Sequence, residues 1–406
     1  MSANHHRPRK YDAVLGNQAE TPVDGVVLGG LEGVKSHLKS TVFKAQASAL
    51  NEAVKYGDVG LDLVFNATKS SEWQLQNAAE KLLIQKRTDP KFQQKLLDFN
   101  PWLFVDCVLT VEGHLDKVNS VAISPDNLTL ASGSNDKTVK IWSLLTGEIQ
   151  RTLTGHTSKV NAVVFSPDGR LVSCSGDNTI KFWDWQRGKL VNSLEEVHSK
   201  SVDAIAISPD GKIIISTSWH IKVADLLNGK EISTLEGNGY ISSLAISPDS
   251  KIFVNDCYDT IKVREFSKGN FLDWWKLKIT TPRLLKGHSG KVNTLAISTD
   301  GKTLVSGGED KTIKVWNLQT GELKRTFLGH TGKVNAVAIS ADSQIIASAS
   351  NDKTVKIWDL NKGCLLRTLE GHTKVVRTVA ISPDGQTIVS GSWDKTIKVW
   401  KANFSN

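Results

Sequence analysis

Short stretches in which apolar and polar residues alternate recur along the last three quarters of the chain. Val160-Asn161-Ala162-Val163-Val164-Phe165 is one of them, and Ser166-Pro167-Asp168-Gly169 follows it. Alternation with period two marks a half-buried strand, and Ser-Pro-Asp-Gly marks a turn. Leu171-Val172-Ser173, a tight turn holding Asp177, and Thr179-Ile180-Lys181-Phe182-Trp183 continue the pattern, and a fourth strand falls near residues 190–194. Gly-His pairs at 113–114, 155–156, 287–288, 329–330 and 371–372 open such units. His114 to His156, His156 to His198, His288 to His330 and His330 to His372 are each 42 residues apart, with Val197 replacing the Gly before His198. Asn238, in a Gly-Asn pair 40 residues beyond His198, and His288, 50 residues further, complete seven starts. Four short strands per unit, repeated at this period, predict a mainly β fold: a seven-bladed β-propeller of four-stranded blades over residues 102–406.

Ahead of the repeats the period changes. Residues 1–28 carry no sustained pattern and read as an irregular segment. Residues 29–101 read as a small all-α domain. Phe43, Ala47, Leu50 and Val54 fall on one helical face, and Gly57 and Asp58 separate that helix from the next. Leu61, Val64, Phe65 and Thr68 form the buried side of the second helix. Ser71-Glu72-Trp73-Gln74 has a capping-box pattern and opens a third, with a stripe of Leu75, Ala78, Ala79, Leu82 and Leu83. Asp89-Pro90 starts a fourth, whose apolar face is Phe92, Leu96 and Phe99. The connector Asn100-Pro101-Trp102 is too short for a flexible tether, so the two parts are expected to pack together.

Charge changes this picture little. The chain has 50 Lys+Arg against 42 Asp+Glu, a net charge of +8, and no run of five or six like charges. Cys107, Cys174, Cys257 and Cys364 fall in four separate units and make no Cys-x-x-Cys pair, which reads as reduced cysteines in a cytoplasmic protein. No apolar stretch reaches membrane-spanning length. His5-His6 lacks an acid or Cys to complete a ligand set, and no phosphate-binding loop follows a strand and opens a helix. No metal, cofactor or catalytic site is expected.

The Gly-His pairs, runs such as Ser134–Trp142, and the Trp183-Asp184 and Trp358-Asp359 pairs resemble the WD-repeat family over residues 104–406. Residues 71–83, with Ala78-Ala79 and the leucines after them, weakly resemble a HEAT-type repeat, with Gln76 where that family usually has Arg. The WD-repeat resemblance implies how the recurring Ser, His and Asp are used. Asp would hold His, His would hold a Ser hydroxyl, and Ser would hold the Trp indole N–H. Five units contain all four residues: His114, Ser132, Asp136 and Trp142; His156, Ser173, Asp177 and Trp183; His288, Ser306, Asp310 and Trp316; His330, Ser348, Asp352 and Trp358; His372, Ser390, Asp394 and Trp400. A catalytic triad repeated five times in one chain makes little sense, whereas a structural clamp repeated five times does. Units three and four break the pattern. Ala224 and Arg264 stand where Trp is expected, and Asp259 is shifted by one from the turn position. Ten extra residues in unit four, around Phe271-Leu272-Asp273-Trp274-Trp275, read as a partner contact or as packing against the helical segment.

The same resemblance places the residues three and five beyond each Gly-His histidine on one face. These are Lys117 and Asn119, Lys159 and Asn161, Lys291 and Asn293, Lys333 and Asn335, then Val375 and Arg377. The turn positions add Trp393, which with Arg377 forms an expected anchor pair. The function implied is a non-catalytic scaffold that binds other proteins, those with acidic surfaces included, through Lys117, Asn119, Lys159, Asn161, Lys291, Asn293, Lys333, Asn335, Arg377 and Trp393, or through Trp274 and Trp275. The alternative is an anionic-ligand or nucleic-acid binder using the lysine ring. Finally, the last unit ends too soon after Trp400 to supply its own fourth strand. The strand around residues 103–110 is expected to close the ring there.

Overall fold

The computed structural model describes residues 30–236, 239–267 and 278–402. The expected irregular segment 1–28, Asn238, Trp274 and Trp275 lie outside the described residues.

Seven antiparallel sheets follow one another along the chain, and each is a blade. Blade one comprises Val118–Ile123, Thr129–Ser134, Val139–Ser143 and Ile149–Leu153, from inner to outer strand. Blade two runs from inner strand Val160–Phe165 to outer strand Lys189–Leu194, blade five from Val292–Ile297 to Leu323–Phe327, and blade six from Val334–Ile339 to Leu365–Leu369. Blade three runs from Ala204–Ile207 to Glu231–Glu236. Blade four has Leu244–Ile246, Ile252–Cys257 and Thr260–Ser267, with Arg283–Lys286 outermost and Lys278–Ile279 pairing lower on the same third strand.

Blade seven is built from both ends of the repeat region. Val376–Ile381, Thr387–Ser392 and Ile397–Ala402 are completed by Val105–Val111, with Val105 opposite Ala402 and Val111 opposite Ile397. This is the ring-closing strand expected from the short C-terminal unit. The side chains repeat the closure. In the other regular blades a third-strand lysine donates to an outer-strand hydroxyl, as Lys140 does to Thr152 at 2.9 Å. In blade seven Lys398 Nζ donates to Thr110 at 2.8 Å, across the seam. Each blade buries alternate residues against its neighbour: Ala131 and Ile141 of blade one pack with Val160, Val163 and Trp183 of blade two.

The Ser-Pro-Asp turns have a physical cause of their own. In the first, the Ser124 amide donates to Thr129 O, and Ser124 Oγ accepts the Thr129 amide and donates to Asp126. The chain then needs a left-handed residue. Gly169, Gly211 and Gly385 supply it freely, as does Gly301 in the related Ser298-Thr299-Asp300 turn, while Asn127, Ser250 and, after Ser340-Ala341-Asp342, Ser343 adopt it at φ 62°, 58° and 56°.

Among the described residues five α-helices precede the propeller: α1 (Gly30–Leu38), α2 (Phe43–Ala53), α3 (Gly57–Ala67), α4 (Trp73–Lys86) and α5 (Pro90–Phe99). α1 was not resolved as a separate helix by the hydrophobic pattern. Asp89 caps α5 by accepting the Lys91 amide, with Pro90 in the first turn as expected. Two expectations are corrected. α2 buries Gln46, Ala49, Leu50 and Ala53, and Phe43 is exposed. The capping box does not form: α4 begins one turn position later, with Glu72 at its N-cap, and Ser70 Oγ accepts the Glu72 amide.

The helices pack on blade six. Glu80, only 1% exposed, accepts from both the amide and the hydroxyl of Thr368, and Asn100 Nδ2 donates to Leu366 O at 2.8 Å. The outer strand Leu365–Leu369 is therefore buried, whereas its counterpart Ile149–Leu153 faces solvent over four of five residues. Covering an outer strand in this way removes one open sheet edge.

Candidate functional site

The Ser-His-Asp-Trp sets come together in all five predicted blades. The Asp–His separation is 2.7–2.9 Å, His–Ser 2.7–2.9 Å and Trp–Ser 2.8–2.9 Å. Donor counting fixes the direction of the chain. Trp Nε1–H can only donate, so Ser Oγ accepts there and gives its own hydrogen to His Nε2. His Nδ1–H then donates to the Asp carboxylate. The histidines are neutral in this arrangement. Burial pushes His156, His288 and His330 below the usual imidazole range and outweighs the upward pull of their aspartates.

Each aspartate is also held by residues that the sequence reading missed. Asp136 accepts the Leu115 amide at 2.9 Å, the Thr138 amide at 3.0 Å and the Thr138 hydroxyl at 2.6 Å. Thr179, Thr312, Thr354 and Thr396 repeat this contact. Burial alone would raise these carboxyls, but the donated hydrogen bonds prevail. Asp177 is held at about 2, and Asp136, Asp310, Asp352 and Asp394 are likewise lowered. All five serines are 0% exposed. A nucleophile needs an open face toward its substrate, and these hydroxyls have both bonding directions filled and no access. The sets are clamps that fasten the loop before the inner strand to the second and third strands.

Blades three and four rebuild the clamp differently. His198 Nε2 still meets Ser216 at 2.9 Å, but Ala224 occupies the Trp position opposite Ile214. In blade four Asn255 and Arg264 occupy the Ser and Trp positions, and the guanidinium donates to the Asn255 carbonyl. Asp259 is exposed and takes no part. The buried carboxylate is Asp256, which accepts from the Ser242 amide and hydroxyl and from the Ser243 amide.

Strand register places the remaining predicted residues. Val118 pairs with Ser134 and Val292 with Gly308, so the loop before the inner strand and the turn holding Asp lie at one end of the blade. That tetrad end carries Lys117, Lys159, Lys291, Lys333, Arg377 and Trp393. The Ser-Pro-Asp turns lie at the other end. The asparagines next to the lysines join neighbouring blades. Asn119, Asn161, Asn293 and Asn335 each donate to a carbonyl at or just before the start of the next blade's inner strand, at Val160, Val202, Val334 and Val376, over 2.8–3.0 Å. Asp203 and Arg377 occupy the same position in blades three and seven.

The rim lysines have neighbours within the chain. Lys117 Nζ lies 4.4 Å from the Trp393 ring centroid, Lys291 Nζ lies 4.3 Å from that of Tyr240, and Lys333 pairs with Glu309 at 2.6 Å. Trp393 thus pairs with Lys117 across the closure seam. Burial lowers the pKa of Arg377, and Tyr240 and Asp203 are its electrostatic neighbours. Burial and Asp203 push Tyr240 up to about 12. Counting five residues past His198 would have found Asp203. Tyr240 follows a unit start that lacks histidine and gave no comparable signal. Among the described residues no group of His, Cys, Asp or Glu is placed to hold a metal ion, and no helix is long and apolar enough to cross a membrane.

The chain matches the family model for the WD domain, G-beta repeat, at residues 105–143, 147–184, 188–221, 279–317, 321–359 and 363–401, more than half its length. The unmatched stretch between residues 221 and 279 contains the three inner strands of blade four, which has lost the clamp residues. Among known proteins it is 32% identical over 235 residues to nuclear distribution protein PAC1 of Arthroderma otae, covering 51% of each chain. It is 28% identical over 286 residues to nuclear distribution protein nudF of Aspergillus niger, covering 55% of this chain and 65% of that one. It is 25% identical over 240 residues to periodic tryptophan protein 2 of Arabidopsis thaliana, covering 55% and 25%. The chain spans about half the length of the first of these relatives and under two thirds of the others. By these repeats, and by the seven blades they build, the chain belongs to the WD domain, G-beta repeat family.

Proposed function

We propose that the chain is a non-catalytic scaffold that holds protein partners on the tetrad end of its propeller. One observation carries this reading. Every Ser-His-Asp set is sealed inside a blade, while the loops that these sets fix are left at the surface with cations and aromatic rings. Such an end is rigid and presents its side chains in fixed positions, which lowers the ordering cost of binding. Lys117, Lys159, Lys291, Lys333, Arg377 and Trp393 are the proposed contact residues, and acidic surfaces are the proposed complement. Asn119, Asn161, Asn293 and Asn335 contribute by holding adjacent loops in register.

The alternative, an anionic small ligand or nucleic acid on the lysine ring, has less support. Lys333 is already paired with Glu309, and the remaining rim cations are separated by aromatic rings, so they do not form a continuous basic track. We read the helices as one or two HEAT-type units, because α2 packs against both α3 and α4. The four free cysteines support a reducing, cytoplasmic setting. Affinity capture from the native host tests the scaffold reading, using the full chain and a form lacking residues 1–100. A scaffold retains the same partners in stoichiometric amount in repeated captures with the full chain. Failure to retain any partner would sink the reading.

A further inference from the structure

The tetrad end is not uniform. In the regular blades its second turn is a polar loop pinned by Asp, such as Asn135-Asp136-Lys137. In blade three this turn shrinks to Ser218-Trp219, and in blade four it is Tyr258-Asp259. Register fixes the location: Ala204 pairs with Thr217, and Cys257 with Thr260, so Lys200, Trp219, Tyr240 and Tyr258 all lie at the tetrad end. Trp219 is 51% exposed, Tyr240 47% and Tyr258 70%, and no other aromatic ring among the described propeller residues is so open.

These rings form one patch. The Ile241 amide, next to Tyr240, donates to Ser218 O beside Trp219 at 3.3 Å. The Val292 amide, next to Lys291, donates to Tyr258 O at 2.6 Å. Lys200 Nζ lies 3.7 Å from the Trp219 ring centroid and Lys291 Nζ 4.3 Å from that of Tyr240. Among the described residues neither lysine forms an ion pair. The nearby carboxylates are already hydrogen-bonded: Asp203 accepts from Ser201 at 2.9 Å and is also the partner of the Tyr240 hydroxyl, and Asp256 is buried under its three donors. The patch thus offers two ammonium groups with no carboxylate within ion-pair distance among the described residues, set among three aromatic ring surfaces.

We propose that this patch, spanning blades three to five, docks an acidic segment of a partner protein. Partner carboxylates would pair with Lys200 and Lys291, and apolar side chains between them would cover Trp219, Tyr240 and Tyr258. The proposal rests on the scaffold reading and locates its contact. Nucleic acid fits less well, because two cations do not make a basic track along a phosphate backbone.

The test uses the full chain and three short fluorescein-labelled probes: a glutamate–leucine peptide, a lysine–leucine peptide and oligo-dT. Binding is read by anisotropy at two salt concentrations. The acidic peptide should bind, more weakly at high salt. Lys200→Glu with Lys291→Glu should reduce its affinity at least about tenfold, and Trp219→Ala several-fold, with melting unchanged. Lys212→Glu with Lys251→Glu, at the Ser-Pro-Asp end, should have no effect. No binding of the acidic peptide, or equal loss from the opposite-end reversals, overturns the proposal. Tighter binding of oligo-dT overturns it in favour of nucleic acid. Loss only in Lys117→Glu with Lys333→Glu would leave the scaffold reading standing and remove this patch from it.

Discussion

Replacing His330 by Ala tests whether the buried sets act as clamps. His330 gives Nδ1–H to Asp352 at 2.7 Å, takes the Ser348 hydroxyl hydrogen at 2.8 Å and meets the Trp358 ring edge-on at 5.9 Å between centroids. The lost bond to a carboxylate is worth about 1.5–3 kcal/mol. Asp352 is not orphaned, because the Thr331 amide and the Thr354 amide and hydroxyl still donate to it. Ser348 loses its acceptor, and the vacated ring volume adds about 1–2 kcal/mol. The expected destabilisation is therefore about 2.5–5 kcal/mol. Trp358→Phe removes the donor to Ser348 and part of the indole, for about 2–3 kcal/mol. Both changes act through one hydroxyl, so the double variant should lose at least about 1 kcal/mol less than the sum. The same Trp358→Phe combined with His156→Ala, three blades away round the closed ring, should be additive within about 0.5 kcal/mol. Urea unfolding followed by circular dichroism measures all of these. Additivity within blade six, or unchanged stability in His330→Ala, refutes the clamp.

Three further outcomes follow from the same contacts. Because the folded-state pKa values of His156, His288 and His330 are lowered, and that of His198 falls to about 4, the unfolded chain binds protons first below about pH 6.5. Stability should fall from there, by up to about 1.4 kcal/mol per pH unit per histidine, and the clamp aspartates add a second loss as pH drops from about 4 toward 2, while flat stability between pH 7 and 4.5 contradicts the neutral assignment. Asp203→Asn restores in blade three the amide that Asn161 and its counterparts use to bond the following blade, so it should raise the urea midpoint by about 1 kcal/mol equivalent, whereas a loss would show that the Asp203–Tyr240 pairing matters more. Deleting residues 1–111 removes the ring-closing strand with buried Val105 and Val111, which at about 1.5–3 kcal/mol per buried valine should abolish cooperative melting, and an unchanged Tm would contradict closure.

The period of 42 made the blade count legible even where single residues failed. Ala224 and Arg264 were readable as departures because five intact copies defined what was missing. What replaced them was not readable. The Arg264–Asn255 link and the move of the buried carboxylate to Asp256 depend on strand register, which no local motif encodes in blade four. Helix α2 shows a different limit. Apolar spacing selected Phe43 and Ala47, but the buried face includes Gln46, whose amide donates to Ser40 O and Glu72. A polar residue whose amide N–H group is held by tertiary partners is invisible to a hydrophobic pattern. The rim lysines were found by counting from histidine. The same counting could not say that the adjacent asparagines tie blade to blade, nor that the exposed rings gather where the clamps are lost.

The claim that the tetrad end is the binding face is tested most directly by charge reversal at opposite ends of the propeller. The partners captured by the full chain are titrated against Lys159→Glu with Lys333→Glu, and against Lys212→Glu with Lys251→Glu. The account predicts that the first pair weakens binding at least about tenfold with an unchanged melting curve, and that the second leaves it intact. Weakening by the Ser-Pro-Asp-end pair alone would contradict it.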